Sequence, residues 1–183
     1  MSPEDSTVAV AYDRLFPKIY AYVAFRVGRQ QDAEDIVSEA FLRAVENLDR
    51  FEPQFEGSME AWLFTIARNL VKNHYRRNSR KDEPLTDQEI TLTSKSTDEP
   101  DEILDRKERY FHLRVALGTL GPRYQEVITL KFFGGLRNQE IASVLQLKER
   151  TVAAYLVRGL KLLQAKYSSL MMDSGERIGN EDI

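Results

Sequence analysis

The sequence contains no cysteine, and that one absence excludes disulfides, thiolate zinc sites and cysteine nucleophiles together. Histidine is nearly as scarce: His74 and His112 stand alone, so a histidine metal set or a catalytic triad finds little support. No apolar run approaches the roughly 20 residues needed to span a bilayer, and Met1 to Val10 carries neither the basic start nor the apolar stretch of a secretion signal. The sequence therefore predicts a cytoplasmic protein with no membrane insertion, no metal, no cofactor and no catalytic residue. Strand-like alternation and internal repeats are missing too, which leaves helix as the building material.

Within the 183 residues, 42% are apolar and 30% charged, as in soluble globular chains; the length allows one ordinary domain or two small ones. The net charge of −3 looks wrong for a nucleic-acid partner until it is followed along the chain. Residues 32–60 carry −7 and residues 61–81 carry +6 with no acid; residues 82–108 carry −7 again and 109–167 carry +7. Blocks of one sign on this scale argue for separate surfaces with separate partners, because a merely solvated surface mixes its charges.

Apolar residues at spacings of three and four predict a first helix from about Ser6 to Val27, which Pro17 would kink or divide. Gly28 ends it, and Asp32 is placed to cap a second helix whose stripe runs through Ile36, Val37, Ala40, Phe41, Ala44, Val45 and Leu48. After a loop with Pro53 and Gly57, Ser58 is placed to cap a third helix carrying Trp62, Leu63, Ile66, Ala67 and Leu70, with Trp62 in the core. From about Lys81 to Glu102 periodicity vanishes and Ser, Thr, Asp, Glu and Pro dominate, which predicts a flexible acidic linker. About 22 extended residues would reach at most roughly 70 Å.

The second half resumes with helices from Ile103 to Leu120, from Tyr124 to Phe133 and from about Gln139 to Leu145. A turn at 146–149 leads into a longer helix from Arg150 to about Tyr167, and an acidic, mobile tail covers 168–183. The expected fold is all-α: two small helical domains, 1–80 and 103–167, joined by the 81–102 linker, the second containing a helix-turn-helix. Glu140, Ile141, Ala142, Leu145, Leu147, Val152, Leu156 and Leu160 have the spacing of that motif, a small Ala at the helix crossing and apolar residues turned inward. Its second helix would present Arg150, Thr151, Ala153, Ala154, Tyr155 and Arg158 to base edges and phosphates, with Lys148 at the edge. Arg68, Asn69, Lys72, Asn73, Arg76 and Arg77 likewise form a basic strip on the third helix.

Two strings carry a resemblance. Asp32-Ala33-Glu34-Asp35-Ile36-Val37-Ser38-Glu39-Ala40-Phe41-Leu42-Arg43-Ala44, then Trp62-Leu63-Phe64-Thr65-Ile66-Ala67-Arg68-Asn69 followed by Arg76-Arg77, resemble the second conserved region of extracytoplasmic-function sigma factors, the promoter-specificity subunits of bacterial RNA polymerase. Leu120-Gly121-Pro122-Arg123 and the helix-turn-helix resemble that family's fourth region. The resemblance implies core RNA polymerase and promoter DNA as partners, with an anti-sigma factor as inhibitor. It implies a polymerase dock on the acidic helix, for which Asp32, Asp35, Ser38, Glu39, Leu42 and Arg43 are the candidates, and a minus-ten reader on the strip from Arg68 to Arg77. The loop Gln54-Phe55-Glu56-Gly57-Ser58 would take a base flipped from the non-template strand, an extrusion that costs a few kcal/mol of stacking. The helix-turn-helix would meet the minus-thirty-five element.

Family members commonly carry Gly in the last turn, a small cap before the recognition helix, and Gly, Lys and Arg around its start; here those positions are Gln146, Lys148, Arg150, Ala153 and Tyr155. The substitutions imply more backbone binding and an atypical minus-thirty-five preference. Two other functions compete. A helix-turn-helix regulator binding operators without polymerase would explain the second domain but gives no role to the acidic helix. A carboxylate hydrolase using Glu34, Asp35 or Glu39 would lack any oriented base or metal set beside them.

Overall fold

A computed structural model describes the backbone of residues 3–78 and 100–178 and the side chains of residues 12–77 and 107–172. Among the described residues there are seven α-helices and no strand. They are α1 (Pro3–Val27), α2 (Gln30–Glu46), α3 (Ser58–Asn78), α4 (Pro100–Gly118), α5 (Pro122–Phe132), α6 (Asn138–Leu145) and α7 (Glu149–Ile178), with a single 3-10 turn at Leu48–Arg50. Most of the expected linker lies outside the described residues. Its last three positions do not: Pro100 sits at the first position of α4, where its fixed φ suits a helix and no N–H is needed.

The helices form two compact units. The first holds α1, α2 and α3 together with the end of α5, α6 and the first turn of α7; the second holds α4, most of α5 and the rest of α7. In the first unit Leu15, Ile19, Tyr22 and Val23 of α1, Ala33, Val37 and Ala40 of α2, and Leu63, Phe64, Ala67 and Val71 of α3 close a dry core. Tyr22 and Phe64 are fully buried and meet edge to face, their ring centroids 5.5 Å apart.

Several local expectations are corrected. Helix α1 continues through Pro17 as one element. Gly28, at φ 84°, then turns the chain by a left-handed step that a side chain would resist. Asp32 is not the cap of α2: Arg29 occupies that position in an extended conformation, and Asp32 lies in the first turn, where its charge still suits the helix N-terminus. Ser58 is the first residue of α3 rather than its cap, and its Oγ accepts a hydrogen bond from the Gln54 N–H at 3.3 Å. Val45, counted in the inward stripe of α2, is 55% exposed, and Trp62 is only half-buried, its ring tilted against Phe51 with centroids 5.0 Å apart. Helix α7 runs on to Ile178, so the expected mobile tail is helical up to that residue.

In the second unit Ala116 and Leu117 of α4, Val127 and Ile128 of α5, and Leu156 and Leu163 of α7 are buried. Leu160 was expected inside and is instead 39% exposed. Its neighbour Gly159 holds the inward position, because a Cβ there would stand 3.1 Å from both Ile128 and Tyr124. The inward row therefore runs from Leu156 through Gly159 to Leu163, steps of three and four that leave Leu160 on the flank.

The turn between α6 and α7 is a Schellman motif. The Leu147 N–H reaches the Ala142 carbonyl at 2.9 Å, the Gln146 N–H reaches Ser143 at 3.3 Å, and Gln146 itself is left-handed at φ 53°. A side chain at that φ costs about 1 kcal/mol or more, so Gln146→Gly is expected to raise stability by about 1 kcal/mol in urea unfolding. A neutral or destabilising result would mean the glutamine side chain contributes something that this backbone geometry does not reveal.

Candidate nucleic-acid interface

On α2, positions advance by about 100° per residue, so Asp35, Ser38, Glu39, Leu42 and Val45 fall within about 120° of arc. Asp35, Ser38 and Leu42 are exposed, Leu42 at 54%, and Val45 joins them as an apolar member that the stripe pattern had assigned inward. Arg43 folds onto Glu39, its Nε 2.7 Å from the carboxylate. Asp32 turns away from this face. Its carboxylate lies 3.6 Å from His74 Nε2 on α3 and 4.0 Å from Arg29 Nε, so it ties two helices rather than facing outward. Beside α2 an aromatic row of Tyr12, Phe16 and Tyr20 on α1 meets Phe41, with Tyr12 4.6 Å from Phe41 and itself 43% exposed. Burial, reinforced by the Glu34 carboxylate, pushes the Tyr20 phenol up. The surface is thus acidic with an apolar centre, a combination suited to a protein partner.

Helix α3 buries Leu63, Phe64, Ala67, Leu70 and Val71 on one side. On the opposite side Asn69, Lys72, Asn73 and Arg76 fall within about 100° of arc, with Arg68 and Arg77 on either flank. Asn69, Lys72, Arg76 and Arg77 are exposed, whereas Arg68 and Asn73 are half-buried. The far end of the helix is pinned to α1: the Tyr75 hydroxyl donates to the Arg26 carbonyl, and the Arg26 guanidinium lies 6.0 Å from the Tyr75 ring centre. A straight, anchored strip of cations and amides is what a phosphate backbone with adjacent base edges requires.

The loop before α3 is tightly built. Gly57 is left-handed at φ 94°, Ser58 is buried, Phe55 is half-buried, and Gln54 and Glu56 are exposed. Its backbone is also occupied. The Arg137 guanidinium donates to the Glu56 carbonyl, and a Cβ on Gly57 would meet the Glu140 carboxylate and Arg137. Ser58 is therefore closed off and Gly57 half-covered, while Gln54 and the Glu56 side chain are open.

On α7, Arg150, Ala154 and Arg158 are exposed and share one face, Thr151 and Ala153 are half-buried, and Lys148 is exposed in the preceding turn. Tyr155 is half-buried as well, its ring edge-on to Tyr124 at 5.5 Å. Lys161, which the motif pattern did not include, falls on the Arg150–Arg158 face and is exposed. One further feature lies outside these surfaces. Arg109, Tyr110, Leu113, Leu160, Leu163, Gln164 and Tyr167 line an open groove of about 480 Å³ in the second unit, where burial pushes the Tyr110 phenol up against a smaller opposing pull from Arg114. Among the described residues no cluster of His, Asp or Glu could hold a metal ion, and no helix is long and apolar enough to cross a membrane.

Comparison with known proteins bears on this geometry. The Sigma-70 region 2 family matches residues 11–81, and the Sigma-70, region 4 family matches residues 111–163. The ECF RNA polymerase sigma factor SigL of Mycobacterium tuberculosis is 31% identical over 168 residues, an alignment covering 87% of this chain and 89% of SigL. The ECF RNA polymerase sigma factor BldN of Streptomyces coelicolor is 33% identical over 152 residues, 83% of this chain but 57% of BldN, so the chain spans little more than half of that relative's length. Among solved structures, the sigma factor RpoE in complex with the anti-sigma factor NepR from Bartonella quintana has the same fold, with a TM-score of 0.67 at 20% identity over 87% of this chain and 96% of that one.

Proposed function

Since the chain belongs to the extracytoplasmic-function sigma factors of RNA polymerase, we propose that it binds the core enzyme, directs it to specific promoters and helps to open the DNA. The observation that carries this is the pairing, within one compact unit, of an acidic face with an apolar centre on α2 and a basic strip on α3. An operator-binding regulator needs only the helix-turn-helix and leaves both surfaces without a role.

Asp35, Ser38, Glu39 and Leu42 form the polymerase dock, with Arg43 at its edge and Asp32 bracing it from behind. Asn69, Lys72, Asn73, Arg76 and Arg77, flanked by Arg68, meet the minus-ten element. The strip engages phosphates for position, while the two asparagines, able to donate and accept at once, reach base edges. Gln54 to Ser58 receive an extruded base, and contacts to it and its strand offset the lost stacking. No bond is made or broken by the protein, so no catalytic residue or cofactor is required, and the chain acts in the cytoplasm, where promoters are.

The helix-turn-helix meets the upstream element through Lys148, Arg150, Thr151, Ala153, Ala154 and Arg158. With Tyr155 half-buried at its margin, this face is mainly cations and small residues, which favours phosphate contact and an atypical upstream preference. Lys161→Ala is accordingly expected to weaken DNA binding by the same factor across different sequences and to reduce the salt slope by about 0.9. A loss confined to one sequence would assign Lys161 to base readout. RpoE of Bartonella quintana was solved with its anti-sigma factor NepR; we infer a comparable protein inhibitor for this chain, covering the α2 dock.

The direct test of the dock is co-purification of the full chain with core RNA polymerase in the absence of DNA. Retention on core supports the proposal; tight binding to duplex DNA without any affinity for core would favour the operator-binding regulator.

A further inference from the structure

Residues 61–81 are not the only acid-free stretch of the first unit. Residues 14–31 hold Arg14, Lys18, Arg26 and Arg29 and no Asp or Glu. Arg14 is committed to Glu60 at 2.6 Å, but Arg26 and Arg29 stand where α1 turns into α2, and the far end of α3 comes to the same corner. There the Tyr75 hydroxyl donates to the Arg26 carbonyl, and the Arg26 guanidinium lies 6.0 Å from the Tyr75 ring centre. The Asp32 carboxylate sits between Arg29 Nε at 4.0 Å and His74 Nε2 at 3.6 Å. The two acid-free stretches therefore meet, with Arg29, Tyr75, Arg76 and Arg77 exposed and Arg26 half-buried.

We propose that this corner extends the α3 strip: Arg29, backed by the charge of Arg26, holds a phosphate of the duplex just upstream of the opened minus-ten segment. The inference rests on assigning the strip to the minus-ten element, as above. Its direction follows from the two ends of α3. The 54–58 loop, assigned to an extruded base, lies at the start of the helix, and Arg76 and Arg77 lie at its end, so the opened strand and the duplex fall at opposite ends. Ser58 and Arg77 are about 28 Å apart at 1.5 Å per residue, a span of about eight base pairs at about 3.4 Å each. Three observations favour a phosphate over a partner within the fold. Arg29 precedes α2 without a side-chain capping bond, and its contact with Asp32 is long and solvent-exposed, so it contributes little and yields to a stronger anion. Asp32 keeps the His74 ring on its other side when Arg29 leaves it. Arg26, whose buried Nε has no hydrogen-bond partner, is placed by the Tyr75 ring, a contact that leaves its positive charge in force at the corner.

The test uses holoenzyme reconstituted with the full chain as wild type, Arg29→Ala and Arg29→Lys, and with Arg76→Ala plus Arg77→Ala for reference. Two forked DNA probes are made from a promoter recovered by transcription from a fragment library. One keeps the duplex upstream of the minus-ten element, and the other is cut back to the edge of that element. Arg29→Ala is expected to weaken binding to the long fork by about three- to tenfold and to lower its salt slope by about 0.9, with the short fork unaffected. Arg29→Lys keeps the charge and should keep the slope. Wild-type affinity and slope of Arg29→Ala on the long fork would overturn the corner; if the Arg76 and Arg77 double variant still weakened both forks, the minus-ten assignment would stand. No loss on either fork from the double variant would remove the strip, and the corner with it. A loss of affinity for core polymerase by Arg29→Ala in the absence of DNA would place Arg29 in the dock and overturn the proposal.

Discussion

Replacing Arg76 and Arg77 together with alanine is expected to reduce promoter opening by about 10- to 100-fold, at unchanged affinity for core polymerase. Each cation at a phosphate or base edge contributes on the order of 1–3 kcal/mol, and the pair sits at the exposed end of α3. Both lie away from the buried face formed by Phe64, Ala67 and Val71, so the fold should not change. The strip and the dock are on different helices, which is why the losses should separate. Permanganate reactivity of the opened strand, measured with the reconstituted holoenzyme, reads the first quantity, and competition for core against a labelled sigma factor reads the second. Equal loss of both would contradict the division into a dock and a reader.

Leu42→Asp should do the opposite, weakening core binding by about 100-fold, because truncation of a central apolar contact at a protein interface costs about 2–4 kcal/mol. Leu42 is 54% exposed in the free protein and lies between Ser38 and Val45 on the helix face, so a charge there adds desolvation to the lost contact without disturbing the interior. Thermal stability should stay close to that of the native chain. Full promoter activity of the variant at low concentrations of the factor would remove α2 from the dock.

Much of this was legible in the sequence because periodicity and charge report different things. The core of α1, α2 and α3 follows from spacings of three and four, and the α3 strip was readable because residues 61–81 carry no acid. What periodicity could not supply was the choice made by neighbours. Val45 has the spacing of a core residue yet is 55% exposed, and Leu160 lost its place to Gly159 because Tyr124 and Ile128 press against the backbone there. The edge-on contact of Tyr155 with Tyr124 likewise joins residues that no local pattern pairs. The contact of Arg137 with Glu56 joins residues 81 positions apart, and no local pattern signals it. Gln146 is the reverse case: the turn position was identified as one usually held by Gly, and its positive φ supplies the physical reason.

The central claim, that this chain gives core RNA polymerase a promoter, is tested most directly by run-off transcription with purified core enzyme and a library of promoter fragments. The account predicts transcripts that depend on added protein and share a start-site-proximal element, with a weaker or unusual upstream element. No added transcript from any fragment, together with failure to co-purify with core, would contradict it.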